Sequence, residues 1–329
     1  IGRRRASLPA IALAAIATLV FLFAASPLWL FIGRTLSGIA IGVAAAAATA
    51  WAAELSTDAT RASLLATTAN MLGVAVGPLL AGLLAQFAPA PLATSYVVYL
   101  VVLAFTAWCV ATMPETVRRP VDSWRDASFR PRVGVPAEIR AQFLAPAAAG
   151  FATFALGGYY AALVPNLLAD DLGLASPAIS GAIVAAVYGI SAGSIPATHV
   201  LNGRRALFAG LVLLVPSAAL LLLARTQASI ALLLGATLFG GVAIALAYRG
   251  SLQAIQSIAP GERRAEVVAS YMIACFLGNG LPVIGVAVLS RTAGSTIANA
   301  VFAAVIAALA LIALTVSLRL QPTQEDPRG

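Results

Sequence analysis

Charged residues set inside apolar sequence are the groups of this chain that could do chemistry. Arg34 lies within the apolar run Leu28–Ala50. An arginine at mid-bilayer costs about 2.5–3.5 kcal/mol on insertion scales, so it needs an interior partner, water or a route to the interface. Two readings follow: a charge facing a polar cavity, or a side chain that snorkels past Pro27 to the membrane surface. Basic clusters stand at Gly2-Arg3-Arg4-Arg5 and at Asn202-Gly203-Arg204-Arg205, with acids in later loops at Glu54 and Glu262. No Asp or Glu falls in the middle of an apolar run, and Asp170 and Asp171 fall in a short loop. His199 sits at the end of a run, while Cys109 and Cys275 lie inside separate runs as small packing residues. Nothing here has the spacing of a metal site, a disulfide framework, a cofactor motif or a nucleophile with its base. A polytopic membrane enzyme would therefore lack its catalytic cluster.

The elements that carry these residues are membrane helices. The chain is 61% hydrophobic and 10% charged, with a mean hydropathy of +0.95; a soluble domain carries about 25% charged residues. Runs long enough to cross a bilayer, about 20 residues each, are predicted at Ser7–Ala25, Leu28–Ala50, Ser63–Phe87, Leu92–Met113, Phe143–Leu168, Pro177–Thr198, Arg205–Ala224, Ser229–Tyr248, Val267–Leu289 and Ile297–Leu318. In lipid each backbone polar group must be paired within its own segment, so the fold class is an all-α polytopic membrane protein. The net charge of +8 comes entirely from arginine. Its distribution speaks against nucleic acid as a partner. Arg3, Arg4, Arg5, Arg61, Arg118, Arg119, Arg125, Arg130, Arg132, Arg140, Arg204, Arg205, Arg263, Arg264, Arg319 and Arg328 fall on one face, against Arg225 and Arg291 on the other. That asymmetry orients the first face, and the C-terminus with it, toward the cytoplasm. Arg3–Arg5 before an apolar run also has the look of a secretory signal, but the run passes through Ser26-Pro27 directly into the next one.

The plan repeats. After each basic loop come two spans, a loop with an acid and an arginine (Glu54 to Arg61; Glu262, Arg263 and Arg264), two more spans and a charged segment. Pro78 stands seventeen residues after Arg61 and Pro282 eighteen after Arg264. Each proline sits among glycines: Gly73, Gly77 and Gly82, then Gly278, Gly280 and Gly285. Only the second copy has two further spans in front of it. The expectation is a duplicated bundle with ten of twelve helices present, the first two lying upstream of residue 1; an initial Ile fits a fragment. The predicted divisions are an N-terminal half at 1–115, a cytoplasmic linker at 116–142, a C-terminal half at 143–320 and a tail at 321–329. The linker reads as solvated and topogenic, with anionic-lipid binding by Arg118-Arg119-Pro120 as the alternative.

These residues resemble the major facilitator superfamily over essentially the whole chain. Ile1-Gly2-Arg3-Arg4-Arg5 is similar to the tail of that family's signature loop, G-x-x-x-D-R-x-G-R-R, whose Asp and first Arg would lie upstream. The resemblance implies a cytoplasmic gating role for Gly2, Arg3, Arg4 and Arg5, beside the plainer reading of a topogenic cluster; the copy at Asn202–Arg205 is degenerate. Phe31 to Gly42 resembles the fourth-helix motif, in which an arginine is followed by glycines four and eight residues on. Gly38 and Gly42 then offer close helix approach. Gly73-Val74-Ala75-Val76-Gly77-Pro78-Leu79-Leu80-Ala81-Gly82 resembles the fifth-helix motif of efflux antiporters. There Pro78 removes a helix hydrogen bond, Gly73 and Gly77 present a flat face to a neighbouring helix, and the segment to Gly82 acts as a pivot. Met113-Pro114-Glu115-Thr116 resembles the common ending of the sixth helix and reads as a boundary marker without chemistry.

The resemblance implies a secondary active transporter of the inner or plasma membrane, a multi-pass monomer working by alternating access. It would export small hydrophobic drugs or metabolites by antiport. A solute importer or symporter on the same scaffold is the alternative, and a membrane enzyme the remote one. The family scheme puts Leu28–Ala50, Phe143–Leu168 and Ser229–Tyr248 around the central cavity. The substrate-binding candidates are then Arg34, Tyr159, Tyr160, Asn166 and Tyr248, with Asn70 and Asn279 beside the glycine-proline segments. For each, an interhelical hydrogen bond or an interfacial anchor is the competing reading. The expected partners are a small-molecule substrate, the lipid bilayer and protons as coupling ion, with no cofactor or metal. A proton-coupled carrier needs an intramembrane titratable group. With no mid-span acid in this sequence, that group is expected in the upstream helices.

Overall fold

A computed structural model of the protein describes residues 2–55, 59–115 and 133–319. Ile1, the arginines from Arg118 to Arg132 with most of the linker, the tail from residue 321 and the side chain of Arg61 lie outside the described residues. The chain is helical, with no strand among the described residues. In chain order the helices are α1 (Arg3–Leu22), α2 (Pro27–Leu55), α3 (Ala59–Phe87), α4 (Pro91–Thr112), α5 (Arg140–Ala162), the short α6 (Val164–Asn166), α7 (Pro177–Ala197), α8 (Gly203–Thr226), α9 (Ile230–Ile258), α10 (Arg264–Ala293) and α11 (Ser295–Arg319). Ten of them are long and apolar enough to cross a bilayer.

Turn chemistry sets the boundaries. Pro27, Pro91 and Pro177 open α2, α4 and α7, where a missing N–H costs nothing. The Ser176, Asn202 and Ser229 side chains accept from Ile179, Arg205 and Leu232 N–H groups at the starts of α7, α8 and α9. Gly294, at φ +86°, is the whole connection between α10 and α11; a side chain there would strain the turn. Several helices outrun the apolar stretches that predict them. α9 continues from Tyr248 to Ile258, adding Arg249, Gln253 and Gln256, because the hydrogen-bond ladder does not stop where apolar sequence ends. The predicted span Phe143–Leu168 goes the other way: α5 ends at Ala162, and the chain continues through α6 into a π turn at Leu167–Asp171.

Contacts divide the chain into two compact units, Ile1–Asn70 with Leu79–Arg130, and Met71–Pro78 with Pro131–Gly329. In the first, α1 packs on α2 and α4, and Phe21 of α1 stacks on Tyr96 of α4 with ring centroids 6.2 Å apart. In the second, α5, α8, α9 and α11 share a core that includes Leu156, Leu211, Leu214, Leu233 and Ile306, all fully buried. Glycine allows the closest crossings. A Cβ on Gly210 of α8 would stand 2.3 Å from the Ala247 backbone N of α9, and one on Gly278 of α10 would stand 2.3 Å from the Phe151 carbonyl O of α5. Small residues at such points let backbones touch, the main source of helix association in lipid.

Candidate functional site

The first basic loop begins with an electrostatic conflict. A helix N-terminus carries partial positive charge and free N–H groups, yet α1 opens with Arg3, Arg4 and Arg5. Two carboxylates resolve it. Glu115, just past α4, accepts the Arg3 and Arg4 backbone N–H groups on its two oxygens at 2.8 and 3.0 Å. Glu54, near the end of α2, takes the Arg3 guanidinium: Nη2 stands 2.6 Å from Oε1, and Nε donates to the same carboxylate at 3.1 Å. Gly2 is buried beside them, and a Cβ there would meet Glu115 Oε2 at 2.5 Å. Glycine is thus the residue that lets the cap approach. Arg4 and Arg5 themselves point to the exposed surface. The sequence reading of Met113–Thr116 as a mere boundary is corrected here: Glu115 ties the end of α4 to the start of α1. The available signal was an acid on the same face as an arginine cluster that lacked counter-charge.

The second basic loop is built differently. Asn202 caps α8 from its own position, accepting the Arg205 N–H at 2.8 Å. Arg204 lies over the Phe208 ring at 5.6 Å, a cation–π contact. Arg249 of α9, nine-tenths buried, donates from Nη2 to the Leu201 carbonyl at 3.1 Å. Arg263 forms a two-pronged pair with Glu266, both distances 2.8 Å.

The glycine-proline segment of α3 runs unbroken through Pro78. Met71, Ala75 and Gly82 are its buried residues, whereas a Cβ on Gly73 or Gly77 would meet nothing within 4 Å among the described residues. Two residues along a helix is a rotation of about 200°, so Gly73 and Gly77 occupy the face opposite the buried one. The flat face expected to seat a neighbouring helix is open here, as are Gly38 and Gly42 on α2. In the second copy Gly278 does make the close approach, against Phe151, while Gly280 and Gly285 are open.

The substrate candidates scatter. In the first unit, Arg34 is exposed on α2, seven residues and about 10 Å beyond Pro27, and Asn70 is exposed on α3. In the second unit, Asn166 is exposed at the end of α6, and half-buried Asn279 presents its backbone carbonyl to Gly158 of α5. Tyr159 and Tyr160 are fully buried. The Tyr159 hydroxyl donates to Asn299 Oδ1 of α11, and its ring packs on Phe302 at 4.6 Å. The Tyr160 hydroxyl lies beside Ser217 and Thr237. Those two donate to the Ala236 and Leu233 carbonyls at 3.0 and 2.7 Å. Tyr159 thus makes an interhelical hydrogen bond, whereas the buried Tyr160 hydroxyl has no hydrogen-bond partner among the described residues. Tyr159→Phe should leave Asn299 Oδ1 buried without that donor and cost about 1–3 kcal/mol. Thermal unfolding in detergent measures it, and an unshifted midpoint would reject the bond as a stabilising one.

Tyr248 keeps company that the sequence did not flag. Its ring meets Phe154 of α5 at 5.6 Å, and Phe154 meets Phe276 of α10 edge-on at 5.9 Å. Tyr248 and Phe154 are half-buried and Phe276 is exposed, so three helices present one aromatic face. Scanning spans for polar groups alone passed over the two phenylalanines.

A family model described as Major Facilitator Superfamily matches residues 1–281. Solved structures share the fold. One is a POT family transporter in complex with 5-aminolevulinic acid (TM-score 0.75, 12% identity, 98% of this chain and 82% of that one). A second is a bacterial homolog of the human lysosomal transporter Spinster, inward-facing and unoccupied (TM-score 0.67, 15% identity, 98% and 85% covered). A third is the human organic anion transporter MFSD10 (TM-score 0.63, 18% identity, 95% and 77% covered). No curated protein sequence matches the chain. The family match extends over most of the chain, from the arginine loop and its Glu54 and Glu115 partners into the glycine-proline segment of α10. On that ground the chain belongs to the Major Facilitator Superfamily.

Proposed function

We propose that this protein is a secondary active transporter that exports small hydrophobic molecules by proton antiport through alternating access. The observation that carries the transporter reading is the family match across residues 1–281. The glycine-proline segment Gly73–Gly82 supports the antiport direction through its resemblance to efflux carriers. The Phe154–Tyr248–Phe276 face supports an apolar or aromatic solute, since aromatic pairs favour such partners by about 0.5–1.5 kcal/mol beyond area burial. The bias of arginine to one side supports a cytoplasmic position for the Arg3–Glu54–Glu115 cluster and an outer one for Asp171 and Arg225, in a plasma or inner membrane. In this reading the cluster acts as a gate latch: while Glu115 caps α1 and Glu54 holds Arg3, the ends of α1, α2 and α4 move together. The protein works as a monomer.

The test is transport in proteoliposomes under an imposed pH gradient, with ethidium as the hydrophobic probe and a lumenal pH-sensitive dye. Antiport moves ethidium and protons in opposite directions; movement in the same direction would replace the proposal with symport. No gradient-driven ethidium flux, and no proton flux with ethidium, would overturn it. Arg34→Ala and Pro78→Ala should each lower the flux about tenfold, ~1.4 kcal/mol in the rate-limiting barrier, with membrane insertion unchanged. Wild-type flux in both would remove the cavity charge and the pivot from the mechanism.

A further inference from the structure

The last turn of α5–α6 does not finish as an α-helix. It widens into the π turn Leu167–Asp171, closed by the Leu172 N–H on the Leu167 carbonyl at 3.2 Å and the Leu174 N–H on the Leu168 carbonyl at 2.7 Å. Such an insertion re-aims side chains and recurs at functional positions. Here it brings Asp171 to the last turn of α8, where Oδ2 stands 2.9 Å from Arg225 Nε; the two side chains are 23% and 10% exposed. The contact is charge against charge without an aligned hydrogen bond, since neither atom has a hydrogen-bond partner of good geometry among the described residues. The groups facing the carboxylate come from three elements. Asp170 belongs to its own turn, Arg225 to α8, and Tyr159 to α5, where Arg225 also reaches the phenol. Behind the phenol, Asn299 of α11 accepts from Tyr159 and donates from Nδ2 to the Ser295 carbonyl at 2.7 Å.

A carboxylate placed there has lost much of its water, has a second acid next to it and receives no aligned donor on Oδ2. The neutral acid avoids all three costs and gives up the attraction of Arg225, which keeps the Tyr159 phenol as a neighbour. We propose that Asp171 is a proton-binding site at the Arg225 end of the second unit, and that the closed turn holds the proton more tightly than the opened one. Burial pushes the Asp171 carboxyl above the usual carboxylate range, with Asp170 pushing the same way and Arg225 pulling down. The sign follows by linkage: the state with the raised pKa gains as pH falls, so proton uptake closes the turn and release opens it. Asp171 lies between the spans that end at Ala162 and begin at Pro177, where a proton arrives from water without crossing lipid. The inference deepens the antiport reading by naming a proton site outside the spans, and it rests on that reading only for its use in coupling.

Hydrogen–deuterium exchange on the full chain in nanodiscs, corrected for intrinsic rates, tests it at about pH 4.5 and about pH 7.5. Wild-type exchange over residues 164–176 should be about fivefold slower at the lower pH, a population shift of local opening. Asp171→Asn, a standing mimic of the neutral acid, should be slow at both and lose the step, whereas Asp170→Asn keeps it. A carboxylic C=O infrared band should appear on acidification in wild type and be missing in Asp171→Asn. Equal wild-type exchange at both pH values, faster exchange at low pH, or a step that survives in Asp171→Asn would overturn the proposal. A pH step without ethidium flux keeps the proton site and removes the antiport reading; flux without a step does the reverse.

Discussion

Gly278→Ala is expected to destabilise the second unit by about 3 kcal/mol, the upper end of what overpacking costs, while Gly73→Ala and Gly77→Ala leave the protein as stable as before or slightly more so. The added Cβ at 278 would stand 2.3 Å from the Phe151 carbonyl O and 2.8 Å from its Cα. Both are backbone atoms that cannot rotate aside. Gly158 mirrors the constraint across the same crossing, with the Asn279 carbonyl O at 2.3 Å, so α5 and α10 can separate only as whole helices. At Gly73 and Gly77 the space is open, and alanine gains up to about 1 kcal/mol of helix propensity. Unfolding midpoints in detergent measure the contrast. Equal midpoints for Gly278→Ala and Gly73→Ala would mean that the crossing does not depend on backbone contact.

Glu115→Lys is expected to lower transport about thirtyfold, ~2 kcal/mol, with Glu115→Gln losing only a few-fold. Three effects add. The lysine variant removes the cap on the Arg3 and Arg4 N–H groups, worth about 0.5–2 kcal/mol at a helix start. It reverses a favourable charge at the positive end of the α1 dipole, worth about 0.3–1 kcal/mol. It also sets a cation against Arg3, Arg4 and Arg5. Glutamine keeps one acceptor oxygen and adds no charge, so it retains part of the cap. The Arg3–Glu54 pair is about one-third exposed on both sides; such pairs contribute at most about 1 kcal/mol, and Glu54→Gln should be milder. Flux in proteoliposomes, normalised to inserted protein, gives the ranking. A lysine variant that transports like wild type would end the gate reading of this loop.

The ten long helices were legible because the bilayer imposes one strong rule, about 20 apolar residues for each crossing, and α4 and α7 follow their predicted runs within a residue or two. The break after Ala162 was passed over: Pro165 lies inside the predicted run and cannot donate to the helix ladder. The π turn beyond it sets Asp171 beside a residue 54 positions later, which the spacing of residues does not show. The site residues divide along the same line. Arg3 could be picked out from its cluster, but Glu115 acts through an approach made by folding, 112 residues along the chain. Glycine spacing identified both glycine-proline segments, yet spacing does not say which face of a helix has a neighbour. Gly278 meets Phe151 and Gly73 meets open space. Tyr159 and Tyr160 illustrate the same limit for polar groups, since a phenol on a predicted cavity helix looks identical in sequence whether it faces inward or, as here, into its own unit's core.

The two basic loops also differ in when they can form. Asn202 caps α8 from three residues away, so that helix start is complete as soon as its first turn leaves the ribosome. The start of α1 waits for Glu115, 112 residues downstream of Arg3. At about 5–20 residues per second, that is on the order of ten seconds during which three arginines crowd an uncapped helix end. Glu54 arrives first and can hold Arg3 in the interval. The second loop is settled by local sequence as it is made, whereas the first is settled by the order of synthesis. α4 must be inserted in the right sense before α1 gains its cap, so the Glu115 contact doubles as a checkpoint on the topology of the first four helices.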